Sequence, residues 1–170
     1  DGDKRPERLD SFGSRDRRME YYLLGDSETG HMDRTGYLWI EFYHEDKQSY
    51  KTIGIALRAR RGAAQMVFWG FLLEDGRRIN QDLHLYDYPN WLETKKKVPL
   101  TRKALTEAIG AGGIVVQEQA TYRELVKKHI FGFKDNNDSY KDLLKLLLEI
   151  RSPKLSKEFR PSSIYSILTN

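Results

Sequence analysis

Between Tyr37 and Glu74 the chain carries three segments crowded with β-branched and aromatic residues and separated by short turns, and this block constrains the fold most. Tyr37 to His44 (YLWIEFYH) has the composition of a packed, pleated surface. From Tyr50 to Arg61, Ile53, Ile55 and Leu57 alternate with Thr52, Gly54, Ala56 and Arg58, the period of a strand with one apolar face. Gln65 to Glu74 (QMVFWGFLLE) reads as a third strand, and Asp75-Gly76 as a hairpin turn. A fourth segment, Gln81 to Tyr86, alternates Leu83 and Leu85 with Asp82 and His84. Four neighbouring strands with short turns predict an antiparallel meander over residues 37–87.

Either side of this block the pattern is different. Residues 1–36 are polar and glycine-punctuated, a basic loop region in which Glu20 to Leu24 predicts one or two helical turns ending at Gly25. Tyr88 to Trp91 and Lys95 to Pro99 read as connectors. Residues 99–170 are mainly helical. Thr101 caps a predicted helix to about Ile109, broken by Gly110, Gly112 and Gly113, and Ile114 to Gln117 is a short apolar strand. Thr121-x-x-Glu124 has capping-box spacing and opens an amphipathic helix that Gly132 stops. Ser139-x-x-Asp142 repeats that spacing before a leucine-rich helix ended by Pro153, and a last short helix runs from about Pro161. The fold class expected is α+β, an antiparallel meander followed by helices.

Composition then removes whole classes of function. Hydrophobic residues at 39% and charged residues at 32% place the chain among folded domains rather than disordered ones. The absence of cysteine removes disulfides and thiolate metal sites. No apolar run is long enough to span a bilayer, so no membrane partner is expected, and the lack of cysteine is compatible with the cytoplasmic location expected. The start at Asp1 without an initiator Met suggests a segment of a longer chain. A net charge of +4 permits nucleic acid as a partner without demanding it.

Catalytic constellations do not emerge: there is no nucleophile elbow, no zincin motif, and His31, His44, His84 and His129 are scattered. The Gly110-Ala-Gly-Gly113 run lacks the Gly-Lys-Ser/Thr that would hold phosphates and Mg²⁺, and reads as a helix stop. The basic clusters are the candidates for DNA contact. Arg15, Arg17 and Arg18 lie within four residues, Arg58, Arg60 and Arg61 end one strand, and Arg77 and Arg78 sit at the hairpin tip. Aligned on one edge of the sheet, they would neutralise a phosphate backbone. A solvated surface is the competing reading. Trp39, Phe42, Phe68, Trp69 and Phe71 read as core residues before base-stacking platforms.

Six segments in order resemble a known family: residues 1–10 (DGDKRPERLD), 13–25 (GSRDRRMEYYLLG), 33–38 (DRTGYL), 54–61 (GIALRARR), 128–133 (KHIFGF) and 151–157 (RSPKLSK). Together they resemble the N-terminal ATPase head of long bacterial SMC-like, MukB-type proteins of the Wadjet plasmid-defence systems. The resemblance implies one lobe of an ABC/SMC-type head, with Asp1 just past the Walker A loop. The signature motif and Walker B acid would lie beyond the coiled coil. It implies ATP and Mg²⁺ in the intact parent, and no cofactor or hydrolysis for this chain alone. DNA, a second head, and kleisin-type and nuclease subunits are the implied partners, in a nucleoid-associated setting. Gln117 or Gln119 matches the position of a Q-loop glutamine that touches Mg²⁺. The alternatives are a stand-alone nucleic-acid-binding module or a protein-interaction domain.

Overall fold

The computed structural model describes residues 19–26, 28 and 30–130. Arg15, Arg17, Arg18 and the helices expected beyond residue 130 lie outside the described residues. The chain divides into two compact units, one of residues 2–123 and one that includes residues 124–170. The sheet belongs wholly to the first.

Four strands form one antiparallel sheet in the order β1-β2-β3-β4: β1 Asp33–His44, β2 Ser49–Arg60, β3 Val67–Leu73 and β4 Gly113–Val116. The first three lie where the sequence predicts, with β1 starting four residues earlier, but in β2 Thr52, Gly54 and Ala56 are buried while Ile53 and Ile55 of the expected apolar face are half-buried. The fourth is not Gln81 to Tyr86. Its place beside β3 is taken by β4, with Leu73 opposite Gly113 and Gly70 opposite Val116. Leu83 and Leu85 are buried as their alternation implies, but the backbone around them bonds locally. The Arg78 carbonyl accepts from the Gln81, Asp82 and Leu83 N–H groups, and Asn80 N–H donates to the Leu83 carbonyl. Only isolated bridges, Ile79 with Leu83 and Tyr86 with Pro99, remain of the expected strand.

Strand register decides what lies on each face. Thr52, Gly54, Ala56 and Arg58 of β2 stand opposite Leu73, Phe71, Trp69 and Val67 of β3. The main core forms on this side: Ala56, Trp69, Phe71 and Leu73 pack with Ile79, Leu83 and Leu85 of the 74–87 loop and Leu105 and Ile109 of α3 (Arg102–Ile109). Gly54 accommodates the Phe71 ring, because a Cβ there would collide with it and with the Leu38 carbonyl. On the other side, Leu24 of α1 (Met19–Leu24) packs on Ala59 and Met66, and Gly70 admits the ring of Tyr122 from α4 (Gln119–His129).

Local signals explain the helices. Gly25, at φ +74°, ends α1, and its N–H donates to the Tyr21 carbonyl. The Thr101 side chain accepts from the Ala104 N–H and starts α3; Gly110, at φ +56°, stops it. The segment expected to be a connector contains α2 (Tyr88–Thr94): Asp87 caps it, Pro89 sits in its first turn, and Lys95 closes it at φ +59°. No described helix is long and apolar enough to cross a membrane.

Candidate functional site

Of the arginines singled out by sequence, the five among the described residues do not share one edge. Arg58 lies opposite Val67, at the start of β3, whereas Arg78 bonds Glu41, whose neighbour Thr52 lies opposite Leu73 at the end of β3. Most of them are also already engaged. Arg61 donates to the carbonyls of Gly25 and Asp26 and so holds the turn after α1. Arg77 pairs with Asp75 at 2.6 Å and donates to the carbonyls of Ala108 and Ile109, at 2.9 and 2.6 Å, at the end of α3. Arg78 donates to Glu41 at 3.1 Å and lies 4.2 Å over the Tyr50 ring. These three are engaged within the fold, and Arg77 and Arg78 lie away from Arg58 and Arg60.

Arg58 and Arg60 stand elsewhere, on the floor of a cleft of about 910 Å³ at the other end of the sheet. Both bond Asp33. Arg58 does so through two nitrogens, at 2.8 and 2.6 Å, and Arg60 through Nε alone at 2.9 Å. The Arg58 hydrogen bonds, with those of Arg60, hold the Asp33 carboxyl down to about 2, against a smaller opposing effect of desolvation. The Arg60 side chain lines the cleft and remains 57% exposed.

The opposite wall is the segment 97–103. Lys97 lines it, and Arg102 and Lys103 project from the first turn of α3. Tyr37 secures this wall to the sheet: its hydroxyl donates to the Leu100 carbonyl at 2.8 Å and accepts from Trp69 Nε1 at 3.3 Å. Burial raises the Tyr37 hydroxyl pKa to about 12, opposed by the Trp69 bond. Among the described residues the lining carries six cationic side chains, Arg34 included, against one carboxylate, Asp33. Arg34, Lys97 and Arg102 have no carboxylate partner among the described residues. Such a cleft focuses positive potential on an anion.

Sequence reading missed Arg34, Lys97, Arg102 and Lys103. Only the Lys95-Lys-Lys97 run and the Arg102-Lys103 pair hinted at them. Of the two glutamines, Gln117 lines the cleft, while Gln119 opens α4 with its Nε2 buried and without a hydrogen-bond partner. Nothing in the glycine run fits a phosphate: Gly113 enters β4, and the Asp75 carboxylate crowds Gly112. Among the described residues, no three His, Asp or Glu side chains converge as a metal site would require.

Of the aromatic residues, Phe68, Trp69 and Phe71 are buried, while Trp39 is exposed and Phe42 half-buried on the edge strand β1. Comparison with protein-family models, curated proteins and solved structures returned no match.

Proposed function

We propose that this domain binds the phosphate backbone of DNA in the basic cleft, as one lobe of an SMC-like ATPase head of the kind its sequence resembles. The observation that carries the reading is the charge of the cleft: among the described residues, Arg34, Arg58, Arg60, Lys97, Arg102 and Lys103 against Asp33. Phosphate contacts of this type gain most of their free energy from released counterions and carry no sequence preference. The SMC-like setting is supported by the ordered motifs of the sequence. In that setting ATP and Mg²⁺ act on the parent protein, with Gln117 or Gln119 as the Q-loop candidate. A second head and kleisin-type and nuclease subunits are the partners proposed there. This chain takes no step in hydrolysis, because Walker A, signature and Walker B sequences are not in it.

The test is binding of the purified chain to a labelled duplex across a salt series. A dissociation constant of about 10⁻⁴–10⁻⁶ M that weakens steeply with salt is expected. Changing Arg60, Arg102 and Lys103 together to Ala should flatten the log–log salt slope by about 0.9 for each phosphate no longer neutralised. Arg15, Arg17 and Arg18 changed together to Ala are the parallel comparison. Weakening by that triple alone would move the DNA surface away from the cleft, and salt-independent binding would overturn the proposal.

A further inference from the structure

Beside the cleft stands a group of aromatic rings that the phosphate-binding reading does not use. α2 places Tyr88 and Trp91 three residues apart on one helical face, and their rings stack at 5.6 Å and 26°. His84, from the loop before it, stacks on Tyr88 at 4.0 Å and 23°. Tyr86 meets His84 and Trp91 edge-on, at 5.3 and 6.1 Å. None of the four belongs to the buried core, and Tyr88 is 37% exposed. Two lysines cover ring faces: Lys95 Nζ lies 5.0 Å from the Trp91 ring centre and Lys97 Nζ 4.9 Å from that of Tyr86.

This shelf adjoins the cleft. Lys97 belongs to both, since it lines the cleft while lying over Tyr86. Leu100 separates the cleft from a recess of about 280 Å³ that His84, Tyr86 and Tyr88 line together with Arg77, Asp82 and Asp87. A strand whose phosphates follow the cleft cations therefore brings its bases to the aromatic rings. Duplex bases are paired and stacked inside the helix and cannot reach such a shelf; unpaired bases can.

We infer that the shelf of His84, Tyr86, Tyr88 and Trp91 stacks unpaired bases, so that the nucleic acid held by the cleft is single-stranded DNA. The inference rests on the cleft being a phosphate-binding site. The covering lysines are no obstacle. An exposed cation–π contact is worth about 2- to 5-fold in an equilibrium constant. Stacking one base on an aromatic ring is worth about 5- to 150-fold. A base thus displaces Lys95 from Trp91, and the freed ammonium is placed to meet the adjoining phosphate. The rings also pack α2 against the loop before it, but packing alone would bury them, and it does not call for lysines laid across their faces.

The experiment compares the purified chain on an oligothymidine of about 15 nucleotides, a length suited to a single-strand groove, and on a duplex of equal length. Fluorescence anisotropy reads affinity, and quenching of tryptophan emission reads stacking. Tighter binding of the single strand is expected. Trp91→Ala should lose about 5-fold or more on the single strand and leave the duplex unchanged. Trp91→Phe, which keeps an aromatic face, should retain most of the affinity and lose the quenching. Circular dichroism checks each variant, and quenching of the unaltered protein needs no variant at all. Equal affinity for both forms without quenching would overturn the shelf and leave the cleft as a duplex site. Failure of both forms to bind at low salt would overturn the cleft reading as well.

Discussion

Replacing Arg77 with Ala separates a fold-holding arginine from a ligand-binding one. The last carbonyls of a helix have no partner within it, and Arg77 supplies two bonds to them, 2.9 Å to Ala108 and 2.6 Å to Ile109. A hydrogen bond with a charged partner contributes about 1.5–3 kcal/mol when well shielded. The Arg77 side chain is 31% exposed, so each bond belongs at or below the low end of that range. The ion pair with Asp75 is similarly exposed and adds little. The guanidinium at the negative end of α3 contributes a further ~0.5 kcal/mol. The sum is about 2–3 kcal/mol, and at roughly 2–4 °C per kcal/mol for a chain of this size, Tm should fall by about 4–12 °C. Thermal unfolding followed by circular dichroism, with urea unfolding to confirm an unchanged m-value, measures it. Arg77→Lys should recover less than half, since an ammonium is a point charge without the planar fork that reaches two carbonyls. DNA affinity and its salt slope should stay as they were. A Tm within about 1 °C of the parent, together with weakened DNA binding, would refute the assignment and return Arg77 to the DNA surface.

Four further changes probe the sheet and the cleft. Gly54→Ala drives a methyl group into the buried Phe71 ring and the Leu38 carbonyl, so about 1–3 kcal/mol should be lost in urea unfolding. Thr52→Val should raise stability by about 1 kcal/mol, because the Thr52 hydroxyl is fully buried without a partner and valine keeps the branched shape. Tyr37→Phe tests the fastening of the cleft wall. Because burial raises the Tyr37 pKa from 10.0 to about 12, its contribution is complete below pH 10 and lost as pH rises toward 12. The stability gap between parent and Tyr37→Phe should close across that window. Asp33 has the opposite sign. Its carboxyl is lowered from 3.8 to about 2, chiefly by Arg58, so its contribution is complete above about pH 4 and lost as pH falls toward 2. The gap between parent and Asp33→Asn should hold at neutral pH and shrink through that interval.

Local and nearest-neighbour signals were legible in the sequence. The alternation of Ile53, Ile55 and Leu57 located β2, and the turn residues on either side placed β1 and β3. Thr101 and Gly110 bounded α3 because caps act within one turn. The misreading of Gln81 to Tyr86 has a specific cause: alternation there marked Leu83 and Leu85 as buried, but it does not say where backbone N–H groups go. Leu83 and Leu85 do pack on the core, but from a loop. α2 escaped because seven residues beginning Tyr-Pro-Asn carry little helical propensity; Asp87 and the stacked rings compensate. The cleft was illegible for a different reason. Its cations come from β1, β2 and the 97–103 segment, and only the return of the chain across the sheet brings them together.

Arginine density in a sequence counts charge but not commitment. Arg61, Arg77 and Arg78 donate to backbone carbonyls, to Asp75 and to Glu41, and a phosphate would have to displace those partners. Arg58 is held twice by Asp33, whereas Arg60 is held only through Nε and is largely exposed. Arg34, Lys97 and Arg102 have no carboxylate partner among the described residues, and the Lys103–Glu107 pair is an exposed 3.9 Å contact of little strength. Donors available to a ligand therefore concentrate in the cleft, although the densest arginine run of the described sequence, Arg58 to Arg61, contributes only part of them. The same distinction sets the order of the mutants. Arg77→Ala should cost stability without affinity, and Arg60→Ala with Arg102→Ala and Lys103→Ala should cost affinity and, through the exposed Arg60–Asp33 pair, only little stability. An arginine whose removal cost both in equal measure would show that holding the fold and holding the ligand are not separate roles in this domain.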